Sequence, residues 1–360
     1  MKILHVITSL RTGGAEKLMV DLLPRLKAKG SKVDLLLFDG TDTPFRRKIE
    51  QSGIKVFDLG IGGSIYSPLR LLKLIPFLKK YDVVHTHNTA PQLFAAITSC
   101  FIKIKLVTTE HGSSNRRRTI KGFKTIDKWM YRHYDKIICI AEKAKENLLD
   151  YLDIALTGIV TINNGVDIAR YANALPSKEL ESIAPGSRKI MMVAGFRWEK
   201  DQDTLIRTMS KLPSQFHLFL VGDGIRRPEL EALVKAESLS ERVHFLGIRN
   251  DVPQLLHAAD YIVMSSHFEG LSLSSVEGMS VGKPFLASDV DGLREVAEGA
   301  GILFPHEDSN TLAKNILHLE EAHERYISVA DACHNRAKEF DISKMVDGYY
   351  KIYNSLNADN

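Results

Sequence analysis

Short apolar runs recur along this chain with room for a helix between most of them, and that alternation limits the possible folds more than any other feature. In the first half the runs are KILHVIT (2–8), LLLF (35–38), IKVFDL (54–59), VVH (83–85), KLVTT (105–109), KIICI (136–140) and GIVTI (158–162). The second half adds Lys189–Ala194, Phe216–Val221, YIVM (261–264) and Pro284–Ala287. Apolar runs of this length, without polar alternation, read as strands buried on both faces, as in parallel sheets. Parallel neighbours need long crossovers, and amphipathic stretches such as Ala15–Lys29 supply them. The expectation is an α/β protein with mostly parallel sheets, and 360 residues are enough for two domains.

Composition removes several classes. A hydrophobic content of 44% with 26% charged residues is that of a soluble globular chain. No stretch reaches the roughly 18 apolar residues of a membrane span. The apolar start, MKILHVITSL, runs into Arg11-Thr12-Gly13-Gly14 without a small-residue cleavage site, so it reads as a strand and not a signal peptide. Cys100, Cys139 and Cys333 are far apart and form no Cys-x-x-Cys or Cys/His cluster. They read as core thiols of a reducing, cytoplasmic compartment. The net charge of +4 is unevenly spread: residues 1–165 hold 27 Lys and Arg against 15 Asp and Glu, and the rest hold 21 against 29. A basic first half implies an anionic partner: nucleic acid, a phospholipid surface or a phosphorylated acceptor.

Chemistry concentrates in Ser265–Asp289, SSHFEGLSLSSVEGMSVGKPFLASD. Glu269 falls in the loop after an apolar run, where open α/β sheets bind ligands. Glu277 follows after seven residues and is expected in the first turn of the next helix. The amides at that helix start suit a phosphate. Two plainer readings stand beside this one. Ser274-Ser275-Val276-Glu277 fits a capping box, and Glu269 fits a solvated loop acid. Gly13-Gly14 marks a strand-to-helix corner where a phosphate could approach backbone amides, or a tight turn with nothing bound. There is no G-x-G-x-x-G and no G-x4-G-K-[ST].

The segment F-E-G-L-S-L-S-S-V-E-G-M-S-V-G-K-P resembles the E-x7-E signature of retaining GT-B glycosyltransferases of the family 4 type, with Ser272 in place of a proline and Gly278 in place of an alanine. Gly13, Gly14 and Glu16 match the family's G-G-x-E, N-G-V-D ends at Asp167, and VDGLRE (290–295) is similar to its G-x-x-E. The resemblance implies two Rossmann-like domains with parallel sheets facing across a cleft. Residues 1–165 with about 341–360 would form the acceptor domain and 166–340 the donor domain, with 175–188 as linker and Met345–Leu356 crossing back.

It further implies a nucleotide-sugar substrate, most often a UDP-sugar, retention of configuration, and neither cofactor nor metal. Catalytic roles fall to Glu269 and His111. Donor contacts fall to Gly13, Gly14, Lys200, Gly222, Ile248, Leu271, Ser272, Leu273, Ser274 and Glu277. The family's arginine five residues before Lys200 is missing, because that position is Gly195; Arg197 is the substitute. His87 is assigned to the acceptor side.

Ser113–Lys136 is the most basic segment, with eight Lys and Arg interleaved with aromatic residues. Phe123, Ile126 and Met130 recur at helical spacing. Arg116, Arg117, Arg118, Lys121, Lys124 and Trp129 are candidates for an acceptor or anionic membrane face, with LRLLKLIPFLKK (69–80) as a second element. A solvated helix packed on the domain is the plain alternative. No RNA module is present, which disfavours nucleic acid. Two rival functions share the fold: a nucleotide-sugar epimerase or hydrolase, and a non-catalytic sugar-nucleotide-binding subunit, which the Gly195 departure would favour.

Overall fold

The computed structural model describes residues 1–11, 13–112, 118, 120 and 122–358. The chain divides into two compact units, Met1–Asn164 together with Met345 onward, and Gly165–Lys344. The last helix, Ile342–Ala358, begins in the second unit and continues into the first.

In the first unit the strands are β1 (Lys2–Ile7), β2 (Lys32–Leu37), β3 (Val56–Asp58), β4 (Val83–His87), β5 (Lys105–Glu110), β6 (Lys136–Cys139) and β7 (Ile159–Thr161). They form one parallel sheet in the order β3-β2-β1-β4-β5-β6-β7. The second unit holds β8 (Arg188–Val193), β9 (Phe216–Val221), β10 (Val243–Gly247), β11 (Tyr261–Met264), β12 (Phe285–Ser288) and β13 (Ile302–Phe304). Their order is β10-β9-β8-β11-β12-β13, again parallel throughout. Both sheets therefore reverse winding direction once, at β1/β4 and at β8/β11. Crossovers on either side of such a point diverge and leave a crevice at the strands' carboxyl ends.

Burial explains why these runs are strands. Every residue of β1 after Lys2 is buried, as are all of β4 and β11. Strands covered on both faces cannot alternate polar and apolar residues. The stretch 175–188, expected to be a linker, is folded: it contains the helix Glu179–Ile183, and Arg249 holds Glu179 through both carboxylate oxygens at 2.9 and 2.6 Å. The thiol expectation also needs correction, because Cys139 and Cys333 are buried but Cys100 is exposed beside His133.

Candidate active site

The second sheet's switch point brings together two loops. The loop after β8 carries Lys200, and the loop after β11 carries Glu269. Lys200 Nζ lies 2.5 Å from Glu269 Oε1, and both side chains are largely shielded from solvent. Ser266 Oγ donates to the same carboxylate oxygen at 2.8 Å. Such a half-buried, doubly bonded carboxylate is not a solvated loop acid.

The helix after Glu269 runs from Leu273 to Ser280 with Ser272 as its N-cap. Ser275 Oγ donates to Ser272 Oγ at 2.8 Å, and Ser274 Oγ is 3.4 Å from the same oxygen. Glu277 is therefore the fifth helical residue, not a first-turn residue, and a capping box built on Ser274 is excluded because the helix starts earlier. Glu277 is buried. Gly278 replaces the family's alanine for a steric reason: a Cβ there would stand 2.7 Å from Ile262 Cγ2 of β11.

Glycines hold the neighbouring loops close. A Cβ on Gly292, at the start of the helix Asp291–Ala297, would lie 1.8 Å from the carbonyl oxygen of Gly270. Gly222 adopts φ +136, and its Cβ would meet the carbonyl of Ala194 at 2.0 Å. Phe196 N donates to Asp223 O at 3.0 Å, which ties the turn after β9 to the turn after β8. Gly195 is open by contrast, with nothing nearer to its would-be Cβ than Arg197 Nε at 3.7 Å. Arg197 thus folds back over the position where the family's arginine would begin, and its Nε pairs with Glu199 at 3.1 Å. Ile248 follows Gly247 at the end of β10 and is 83% exposed.

In the first unit a cavity of about 260 Å³ opens at the ends of β4 and β5, lined by Asn88, Gln92, Glu110 and His111 among others. His111 directly follows β5. His87 does not line an acceptor surface; it is the last residue of β4, fully buried, with Nδ1 2.9 Å from His111 Nε2. His5 Nδ1 lies 3.0 Å from His87 Nε2, and Tyr353 Oη is 3.3 Å from His5 Nε2. Tyr353 Oη is also 2.6 Å from His85 Nδ1, whose Nε2 is 2.8 Å from Thr109 Oγ1. Burial lowers the pKa of the four histidines in this hydrogen-bonded group: His5 to about 3, His111 to about 4, His85 and His87 well below the ordinary value. All four are neutral near pH 7.

Arg118 is likewise not on an exposed face. It donates to Glu110 Oε2 at 3.1 Å, with its guanidinium 5.4 Å from the Tyr151 ring centroid, and Glu110 also accepts from Gln92 Nε2 at 2.9 Å and from the Tyr131 hydroxyl. Burying Glu110 demands those partners. The helix Phe123–Tyr131 buries Asp127, Met130 and Tyr131, and Ile126 points outward with Lys124 and Trp129. The Phe123/Ile126/Met130 face is thus split, with Met130 buried and Ile126 exposed. Tyr151 Oη donates to Asp127 at 3.0 Å, which keeps that acid inside. Arg116, Arg117 and Lys121 lie outside the described residues.

At the first helix, Gly14–Ala28, Gly13 is an extended N-cap, and Glu16 Oε2 stands 2.3 Å from where its Cβ would be. Burial raises the Glu16 pKa, opposed by a hydrogen bond to its own backbone amide. The helix start already holds one carboxylate.

Two doubly wound units of this kind define the GT-B class. Sequence comparison agrees: residues 12–170 match the model described as Glycosyltransferase Family 4, and residues 187–322 that described as Glycosyl transferases group 1. Between them they span most of the chain, and the protein belongs to this glycosyltransferase family. It is 25% identical over 304 residues to the Escherichia coli UDP-Gal:alpha-D-GlcNAc-diphosphoundecaprenol alpha-1,3-galactosyltransferase, covering 79% of this chain and 78% of that one. It is 24% identical over 358 residues to a Campylobacter jejuni N-acetylgalactosaminyltransferase acting on a diphospho-undecaprenol, covering 94% and 95%. Among solved structures, Anabaena HepE in complex with UDP is similar with a TM-score of 0.85 at 24% identity, over 99% of this chain and 100% of that one.

Proposed function

We propose that this protein transfers a hexosyl or N-acetylhexosaminyl group from a nucleotide sugar, a UDP-sugar, to a hydroxyl of a glycan or lipid-linked acceptor. Anomeric configuration is retained, and the pathway builds a bacterial surface polysaccharide. Support for the donor and acceptor classes comes from what the relatives' names say of those proteins. The observation that carries the reading is the Lys200–Glu269 pair, placed by two loops at the switch point of the second sheet.

In this reading Lys200 and Arg197 take the donor diphosphate, and Glu269 takes the sugar hydroxyls near the reacting carbon. The amides around Ser272–Ser274 assist the phosphate, Glu277 binds the ribose, and Gly222 and Ile248 border the nucleotide with Leu271 and Leu273. His111 serves the donor sugar. The bond from anomeric carbon to diphosphate oxygen breaks with its electron pair on the diphosphate. The acceptor oxygen bonds to that carbon on the same face, and its proton passes to the departing phosphate. Fixed cations and amide dipoles carry the developing charge, so no metal is needed on the diphosphate.

No helix among the described residues is long and apolar enough to cross a membrane. Contact with an anionic membrane is part of the proposal, through the helix Pro68–Leu78. There Leu69 and Leu72 are 68% and 65% exposed, near exposed Lys73, Lys79 and Lys80 in sequence. Exposed apolar side chains interleaved with lysines suit a headgroup layer.

A thermal-shift panel of UDP-, GDP-, ADP- and dTDP-sugars on wild type and Glu277→Ala tests the donor site. Stabilisation by the UDP class alone, lost in the variant, is the expected result. No shift with any nucleotide sugar would overturn the reading, and UDP release without acceptor at the full rate would make the protein a hydrolase.

A further inference from the structure

Three loops at the carboxyl ends of β8, β11 and β13 converge on one point in the second unit. They supply Asp201, His267 and His306, whose ligand atoms all lie within 4.8 Å of one another. His267 Nδ1 is the hub: it is 2.7 Å from His306 Nε2, 3.5 Å from Glu307 Oε1 and 4.0 Å from Asp201 Oδ2.

Asp201 is the informative member. It is an N-cap in the left-handed region, φ 45, and its Oδ1 accepts from Thr204 N at 3.2 Å. Its other oxygen, Oδ2, is buried and has no hydrogen-bond partner, with the side chain only 3% exposed. A buried carboxylate oxygen left unpaired is costly, and a native chain normally provides a donor or a cation. The Thr204 side chain also lies against this carboxylate, and His267 Nδ1 stands 4.0 Å from Oδ2. If one histidine donates to the other, as 2.7 Å allows, Asp201 Oδ2 still gains nothing.

We propose that Asp201 Oδ2, His267 Nδ1 and His306 Nε2 bind a divalent transition metal, with zinc the best match. Two imidazoles and a carboxylate are a zinc-type donor set, and zinc takes four ligands in a tetrahedron. Two nitrogens on one such ion stand about 3.3 Å apart, from Zn–N bonds of about 2.0–2.1 Å. His306 lies in an exposed loop and opens by about 0.6 Å, while Asp201 Oδ2, 4.0 Å from His267 Nδ1 and within 4.8 Å of His306 Nε2, closes by about 0.7–1.5 Å. Glu307, 63% exposed, or a water fills the fourth position. Trp198 covers the site, its ring centroid 4.4 Å from that of His267.

The ion would be structural. It would fasten the residue before Phe268-Glu269 to the residue after Lys200, and so set the two loops that carry the proposed catalytic pair, without touching the diphosphate. It goes beyond the transferase reading, and metal binding can be measured whether or not that reading holds.

The test is calorimetric titration of the untagged full chain with zinc chloride in a weakly chelating buffer, beside His306→Ala and Asp201→Asn. Asn retains the helix cap, so Asp201→Asn separates metal binding from folding. One equivalent of zinc should bind wild type, raising its Tm, with at least tenfold weaker binding in both variants. Cobalt in place of zinc should give the visible absorption of a tetrahedral nitrogen/oxygen site. Absence of saturable one-to-one binding, or equal binding by all three proteins, would overturn the proposal. In the first case the imidazoles form a hydrogen-bonded clasp only; in the second the zinc sits on other histidines.

Discussion

His87 Nδ1 sits 2.9 Å from His111 Nε2 while His87 Nε2 sits 3.0 Å from His5 Nδ1, so one buried ring joins the core of the first sheet to a residue at its rim. A neutral imidazole carries one N–H, and each nitrogen–nitrogen contact needs one donor and one acceptor. His5, His87 and His111 must then all be protonated on Nδ1 or all on Nε2. Tyr353 extends the rule to His85, since its single hydroxyl proton serves either His5 or His85. Nitrogen-15 NMR of the histidines at pH 7.5 should show all four in one tautomer. Two different tautomers among them would disprove the chain. His87→Phe should cut the transfer rate about tenfold or more by freeing the ring of His111, with a smaller effect for Tyr353→Phe.

Lys200 and Glu269 hold each other in a half-buried pair, so neither can be removed without leaving a charge unpaired. Glu269→Gln should lower kcat by roughly 100-fold, with a smaller change in donor KM, if the carboxylate acts on the sugar as it reacts. Lys200→Ala should be comparably damaging, and the double variant should fall well short of the product of the two losses. Steady-state assays of nucleoside diphosphate release decide it. Independent, multiplicative losses would mean the two residues act separately.

The fold was legible because buried parallel strands announce themselves as uninterrupted apolar runs, and the runs that form β8 and β11 put Lys200 and Glu269 in the loops that follow them. Side-chain direction was less legible. His85 and His87, two apart on a buried strand, must share one sheet face, which was a signal available in the sequence; their pairing with His5 across β1 required the register His5↔His85. Arg118 looked like one more surface cation, because nothing in a basic run tells which guanidinium neutralises a buried acid 8 residues earlier. Spacing puts Phe123, Ile126 and Met130 on one apolar face, yet the hydroxyl of Tyr151, remote in sequence, makes Asp127 a buried residue while Ile126 is exposed. The helix start at Leu273 escaped because three closely spaced capping-competent residues, Ser272, Ser274 and Ser275, frame it.

Arg197 Nε lies 3.7 Å from the point where a side chain on Gly195 would begin, and that suggests a transplant. Arg197→Ala should raise the donor KM about tenfold by removing a diphosphate cation. Gly195→Arg added to it should recover most of that loss, since the position is open. Failure of the rescue, with a well-folded double variant, would show that the guanidinium at 197 is not standing in for one at 195.

Gly292 faces the backbone of the loop that carries Glu269. A methyl group at 1.8 Å from Gly270 O cannot be accommodated by turning a side chain, so the loop itself must move. Gly292→Ala should cost about 1–3 kcal/mol of stability in the second unit. It should also depress kcat more than the stability loss alone explains, because Glu269 is displaced. Chemical denaturation and kinetics on the same sample separate the two effects; an active, fully stable variant would refute the packing argument.

Acid should weaken the first unit, and the sign follows from the direction of the histidine shifts. In the unfolded chain a histidine takes its proton near pH 6.5; in the fold His111 resists to about 4 and His5 to about 3, both through burial. Above pH 6.5 neither state is protonated and stability is flat. Below it the unfolded state binds more protons, so stability falls as pH drops, by about 1.4 kcal/mol per pH unit for each histidine kept neutral. Trp129 and Trp198 are the only two tryptophans and lie in different units, so Trp198→Phe leaves a reporter for the first unit alone. Its urea midpoint should decline steeply between pH 6.5 and 5, and less steeply when His5→Gln removes one titrating ring. A midpoint constant across that interval would mean that the native histidines protonate as freely as the unfolded ones, and the neutral chain would be wrong.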